Sequence, residues 1–251
     1  MTGSLVVVGT GPGKADLMTP ATAAALAKAT DLVGYGPYLE RVPMVRDQRR
    51  HASDNRVELE RAMHALSLAA QGRQVVVVSG GDPGVFAMAS AVFEAVESGD
   101  PAWRRLDIRV EPGVTAMLAA AAAVGAPLGG DFCAISLSDN LKAWTTIERR
   151  LRAAAEADFV IALYNPASKA RPAQLGTAFD LLRTIKPTGT PVLFVRAAGT
   201  ADSKVITTTL GAADPAQADM RTLIIVGATT TRLVARDGRA PWVYTPRRER
   251  P

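Results

Sequence analysis

The sequence predicts an α/β protein made of two α/β domains, and three observations predict it. Short apolar, β-branched runs at 5–8, 75–78, 108–110, 132–137, 159–163, 192–195, 205–209 and 223–226 alternate with longer helical patterns at 22–28, Glu58–Ala70, 87–97, 145–157 and 173–182. The runs are continuous rather than alternating, which marks strands buried on both faces, and the βαβα order then defines the class. Close to the midpoint, Ala126-Pro127-Leu128-Gly129-Gly130-Asp131 breaks the chain with a proline and two glycines. The expected domains are 1–127, with glycine-rich loops, and 128–251, with a mixed sheet, a division that suits 251 residues.

Each element has its own signal. The helix after the first strand is expected to start late, with Thr19 as N-cap and Pro20 at its first position. The threonine-rich run at 205–210 follows the strand at 192–195 after a short polar loop, which reads as a β-hairpin. Aromatic residues make up only 5% of the chain, so the core is small and aliphatic. The single cysteine, Cys133, lies in an apolar run, reads as a buried small hydrophobe, and excludes an internal disulfide or a cysteine-cage zinc site.

Composition also bounds the partners. The first residues lack the charged start of a secretory signal, and the longest apolar stretch, 117–123, is too short to cross a bilayer. A cytoplasmic protein is expected, with no membrane partner. The net charge of +5 is partly terminal, in Arg247, Arg248 and Arg250. A bias this mild, without stacking aromatics, does not point to nucleic acid. It is compatible with a polyanionic small molecule.

Three turns carry the chemistry. Gly9-Thr10-Gly11-Pro12-Gly13 directly follows the first strand. A dinucleotide fingerprint would need a glycine where Lys14 stands, and Pro12 removes a backbone N–H from a pyrophosphate cradle. Gly80-Gly81-Asp82-Pro83-Gly84 follows the strand Gln74–Ser79, with Asp82 where an N-cap belongs and a helix expected from near Val85. Glu111-Pro112-Gly113-Val114-Thr115-Ala116 repeats strand, turn, helix. All three turns are expected at one sheet edge, where open α/β sheets bind ligands.

Together these loops resemble those of the tetrapyrrole methylase family, over roughly residues 4–231. The stretches Ser136-Leu137-Ser138-Asp139-Asn140-Leu141, Leu163-Tyr164-Asn165-Pro166-Ala167-Ser168 with Arg171 and Gln174, and Val195-Arg196-Ala197 resemble the members that methylate carbon 17 of a precorrin. The resemblance implies a class III methyltransferase with S-adenosyl-L-methionine in a cleft between two α/β domains, S-adenosyl-L-homocysteine as product, and usually a homodimer. It implies cofactor contacts from Pro12, Gly80, Gly81, Asp82, Val85, Thr115, Ala116, Phe132, Asn165, Arg196, Ala197 and Thr229. One departure is visible: Ala228-Thr229 stands where an Asn-Ser pair is expected, which loses an amide and keeps a hydroxyl.

Methyl transfer from a sulfonium needs positioning rather than a metal or a covalent nucleophile, and the sequence has no HxxxH, CxxC or GxSxG motif. The related enzymes also contract the macrocycle, which requires a hydroxyl proton to leave as a carbon–carbon bond migrates. His51, in an expected loop, Asp139 and bound water are the candidates; His64 reads as a surface or packing residue. The implied substrate is an anionic tetrapyrrole. Arg41, Arg49, Arg50, Lys142, Arg171 and Lys204, in expected loops or helix ends, are the candidate carboxylate partners. A sibling tetrapyrrole methylase, a nicotinamide-dependent dehydrogenase and a nucleic-acid-binding module are the competing readings.

Overall fold

A computed structural model describes residues 3–54, 57–168 and 171–248; Arg250 of the basic tail lies outside them. The chain divides into two compact units, Met1–Thr115 and Ala116–Pro251.

The first unit runs β1 (Ser4–Gly9), α1 (Pro20–Lys28), β2 (Asp31–Tyr35), α2 (Gly36–Leu39), β3 (Arg49–Ser53), α3 (Glu58–Ala70), β4 (Gln74–Ser79), α4 (Met88–Ser98) and β5 (Asp107–Glu111). Its sheet has the order β3-β2-β4-β1-β5, and every pairing is parallel. The continuous apolar runs serve two cores by alternation. Leu5, Val7, Val75 and Val77 pack with Leu66 of α3 and Val92 of α4. Val6, Val8, Val76 and Val78 point the other way, onto Leu26 of α1 and Leu39 of α2. Each such side chain contributes roughly 1.5–3 kcal/mol by leaving water. Helix α1 starts as expected: Thr19 is its N-cap, and the Thr22 N–H donates to Thr19 Oγ1 at 3.1 Å.

The second unit runs α5 (Ala116–Val124), β6 (Gly125–Ala126), β7 (Phe132–Ser136), α6 (Trp144–Glu156), β8 (Val160–Tyr164), α7 (Gln174–Arg183), β9 (Pro191–Arg196), β10 (Lys204–Thr209), β11 (Thr222–Val226), β12 (Arg232–Arg236) and β13 (Arg239–Tyr244). Its main sheet has the order β10-β9-β11-β8-β7, with a smaller sheet β12-β13-β6. The expected mixed pairing is present: β7 and β8 are parallel, while β9–β10, β9–β11 and β8–β11 are antiparallel. The pair β9–β10 is the expected hairpin.

Two expectations are corrected. The unit boundary falls before α5, not at the 127/128 seam. Met117, Ala120, Ala121 and Val124 of α5 share a core with Val160, Leu193 and Ile225, so the helix packs with the second unit. The Pro-Gly stretch is only the turn from β6 into β7. Secondly, His51, Arg49 and Arg50 lie in an edge strand, β3, not in a loop, and Lys204 opens β10. Among the described residues, no helix is long and apolar enough to cross a membrane.

Candidate functional site

In the first unit, β1 lies between β4 and β5 in a parallel sheet, so the three glycine turns leave the same edge side by side. They are joined by backbone. Gly11 N–H donates to Gly81 O at 3.1 Å and Gly81 N–H returns to Gly11 O at 2.9 Å. Gly11 and Gly81 have φ of 75° and 65°, a conformation that glycine adopts without steric cost. A Cβ on Gly9 would lie 2.5 Å from Gly81 O and 2.8 Å from Gly113 N, so the turns pack at main-chain distance. Gly80 is covered by Tyr38, whose ring would meet a Cβ there at 2.7 Å.

Asp82 fastens the third turn to the second. Gly84 N–H donates to its Oδ1 at 2.8 Å and Gly113 N–H to its Oδ2 at 3.0 Å. Asp82 is therefore not the N-cap of the following helix. That helix begins at Met88 rather than near Val85, because Phe86 has φ of 51° and Ala87 is extended, and neither conformation continues a helix. Pro12, Gly80, Gly81, Asp82, Val85 and Thr115 thus sit in the three turns at one edge, with Thr115 buried; Ala116 opens α5.

In the second unit, β7, β8 and β9 run in one direction. Their carboxyl ends bring together Ser136, Asn165, Arg196 and Ala197. Asn165 and Ala197 have φ of 53° and 51°, and left-handed backbone at a non-glycine residue costs about 1–3 kcal/mol and clusters at ligand sites. Asn165 Nδ2 donates to Ser136 Oγ at 2.9 Å. Arg196 Nε donates to Asp219 Oδ2 at 2.7 Å. Burial works to raise the Asp219 carboxyl pKa, but hydrogen bonds from Thr222, Arg196 and the Arg221 N–H outweigh it and hold the carboxyl below the usual range.

The other implied contacts of this unit are not brought to that edge. Phe132 begins β7 and Thr229 follows β11, which places both at the opposite end of the sheet. Both polar groups of Thr229 face Asp158: its N–H lies 3.0 Å from Oδ1 and its hydroxyl donates to Oδ2 at 2.5 Å. Lys186 Nζ, buried, donates to the same carboxylate at 2.6 Å. The hydroxyl that survives the departure from Asn-Ser thus serves an internal ion pair.

The candidates for proton transfer and substrate binding separate in the same way. His51 Nε2 faces the buried carboxylate of Asp31 at 2.9 Å, and its Nδ1 lies 3.2 Å from His64 Nε2 in a second hydrogen bond. Arg73 Nε and Thr30 Oγ1 also donate to Asp31. Burial alone would raise that carboxyl, and these hydrogen bonds, Arg73 foremost, instead hold it below its ordinary value. Both ring nitrogens of His51 are thereby engaged. Arg50 is engaged as well: its terminal nitrogens donate to the carbonyls of Leu39, Val42 and Pro43 at 2.6–2.9 Å. Arg41 stacks 5.6 Å over the Tyr38 ring. Arg49 and Lys204 are exposed. Burial, with the neighbouring Arg150 charge, lowers the Lys142 ammonium pKa.

Asp139 is different. Gln174 Nε2 donates to its Oδ2 at 3.1 Å, Arg171 Nε stands 3.9 Å from its Oδ1, and about a third of its side chain faces solvent. The structure therefore gathers Asp139 and Arg171, 32 positions apart by their numbers, with Gln174 and Asn165. No local signal predicts that grouping. Among the described residues, no three of His, Cys, Asp and Glu are grouped to hold a metal ion.

Comparison with known proteins agrees with this architecture. The chain belongs to the tetrapyrrole (corrin/porphyrin) methylases, whose family model matches residues 4–214. Among its relatives, the precorrin-3B C(17)-methyltransferase of Sinorhizobium sp is 61% identical over 247 residues, 98% of this chain and 97% of that one. A probable cobalt-factor III C(17)-methyltransferase of Salmonella typhimurium is 43% identical over 90% of this chain and 93% of its own length. The crystal structure of the methyltransferase CobJ superimposes with a TM-score of 0.93 at 55% identity, covering 97% of this chain and 100% of that chain.

Proposed function

We propose that this chain transfers a methyl group from S-adenosyl-L-methionine to carbon 17 of precorrin-3B and contracts the macrocycle to precorrin-4, a step of cobalamin synthesis. The observation that carries the transferase half is the triple glycine turn: three loops meet at main-chain distance on the carboxyl edge of one parallel sheet. The choice of substrate rests on likeness to the precorrin-3B relative over nearly the whole chain. In this reading the protein is a cytoplasmic homodimer.

The donor set suits the cofactor. Glycine turns without side chains let a ligand approach the backbone closely, and Pro12, Gly80, Gly81, Asp82, Val85 and Thr115 would hold it there; Ala116, Asn165, Arg196 and Ala197 are the candidate cofactor contacts of the second unit. Bound, the sulfonium supplies an electrophilic methyl group for in-line displacement. The protein's own part is to hold and orient, and such positioning supplies ~7–11 kcal/mol of a barrier. For ring contraction, Asp139 is the better-presented proton acceptor, because its carboxylate is partly open whereas both His51 nitrogens are engaged. The candidate partners of the substrate's carboxylates are Arg41 and Arg49 in the first unit and Lys142, Arg171 and Lys204 in the second.

Two measurements test this reading. S-adenosyl-L-homocysteine should raise the melting temperature and NADH should not, since a ligand that binds only the folded state stabilises it. Mass spectrometry of the product from precorrin-3B, with and without inserted cobalt, should show one added methyl group. NADH stabilising in place of S-adenosyl-L-homocysteine, or neither tetrapyrrole gaining mass, would overturn it.

A further inference from the structure

Just past the carboxyl ends of β7 and β8 lies a polar cluster with unpaired donors. Only 12% of the Arg171 side chain is exposed. Its Nε has no hydrogen-bond partner. Its Nη1 reaches the carbonyls of Leu137 and Asn165 only at 3.4 Å each, the long limit of a hydrogen bond. The Asp139 carboxylate stands 3.9 Å from Nε, too far to accept from it. The Ser168 hydroxyl is also buried without a partner. Helix α7 begins at Gln174, and its N-cap, Ala173, has no side chain to accept from the first turn. Buried donors left unpaired are unfavourable, and charged ones most of all. A ligand with two acceptor oxygens would satisfy several at once.

We propose that Ser168, Arg171 and the first turn of α7 form a subsite for one carboxylate side chain of the tetrapyrrole substrate. A guanidinium takes a carboxylate by two parallel hydrogen bonds, and a helix N-terminus favours the same charge. Asp139 sets the charge the site prefers. Its carboxylate faces the same guanidinium and accepts from Gln174 Nε2, so a single negative charge is tolerated better than the two of a phosphate. The same arrangement places the entering side chain beside the group assigned to proton removal.

The identity of the ligand rests on the proposed function, and the test separates the two. Uroporphyrin, a stable porphyrin bearing carboxylate side chains, is titrated into wild-type protein, Arg171→Gln and Ser168→Ala, followed by its absorbance. S-adenosyl-L-homocysteine affinity and melting temperature are measured alongside. Arg171→Gln should weaken porphyrin binding roughly tenfold or more, and in turnover should raise KM for the tetrapyrrole far more than it lowers kcat. Cofactor affinity should stay unchanged. Ser168→Ala should weaken porphyrin binding by a few fold at unchanged melting temperature, and this arm stands even if Arg171→Gln misfolds. Porphyrin affinity unaltered by both variants, with cofactor binding intact, would remove the subsite and leave the methyltransferase reading standing. Wild-type protein binding neither porphyrin nor cofactor would remove both.

Discussion

Replacing Asp82 by asparagine tests how the glycine turns are held. The carboxylate accepts one backbone N–H on each oxygen, from Gly84 at 2.8 Å and from Gly113 at 3.0 Å. Asparagine offers one acceptor oxygen, and its NH2 group must then face the other N–H. The substitution removes one charge-assisted hydrogen bond, worth about 1.5–3 kcal/mol, and sets two donors against each other. As a simple helix cap, asparagine would be nearly silent, because it caps about as well as aspartate. The fold therefore predicts a loss of about 2 kcal/mol, or roughly 5–10 °C in the melting of a unit this size, together with weaker binding of S-adenosyl-L-homocysteine. Calorimetric melting and isothermal titration of wild type and Asp82→Asn measure both. An unchanged melting temperature would refute the stapling argument, and with affinity also lost it would return Asp82 to direct charge contact with the cofactor.

Further outcomes follow from the same geometry. Gly81→Val should abolish cofactor binding and also destabilise the first unit by roughly 1–3 kcal/mol, because a β-branched residue resists a φ of 65°; wild-type affinity would show that the loop is only a turn, and wild-type melting would contradict the backbone strain. Asp31→Asn leaves Arg73 and His51 facing a neutral amide, at a cost of about 3 kcal/mol at neutral pH. The folded-state pKa of Asp31 is lowered, so its stabilisation is complete above the unfolded value of about 3.9 and is lost as pH falls through the folded one. Denaturant titrations should accordingly show the gap between wild type and Asp31→Asn closing below that range, and a gap independent of pH would contradict the assignment.

What the sequence disclosed depended on how local the cause was. The strands β1, β4, β8, β9 and β11 are continuous apolar runs, buried along their length, and they are legible because burial on both faces leaves no polar position. Strand β3 reads Arg-Arg-His-Ala-Ser and looks like a loop, because an edge strand with half-exposed residues needs no apolar pattern. Strands β12 and β13 form a small sheet that also leaves Leu233, Val234 and Trp242 partly exposed, so they carry no continuous apolar run. The start of α4 was misplaced because the left-handed turn at Phe86 leaves no compositional mark. In the candidate site, the glycine turns were legible as local motifs. The contacts of Asp82 with Gly113, of Asp139 with Gln174 and of Thr229 with Asp158 join residues 31, 35 and 71 positions apart, and no periodicity predicts which distant partner a side chain meets.

The position of β11 bears on how the second unit is made. Strands β8 and β9 do not pair with each other; β11, residues Thr222–Val226, lies between them. A chain emerging from the ribosome therefore carries two apolar strands with open inner edges until a third, made later, arrives to bridge them. Unpaired edges of this kind invite association with other chains. The family match ends at residue 214, ahead of that strand, so a truncation placed by family likeness alone would remove the middle of the sheet. Translation stalling before residue 226 should leave a nascent chain that depends on chaperones, and completion of that one strand should end the dependence.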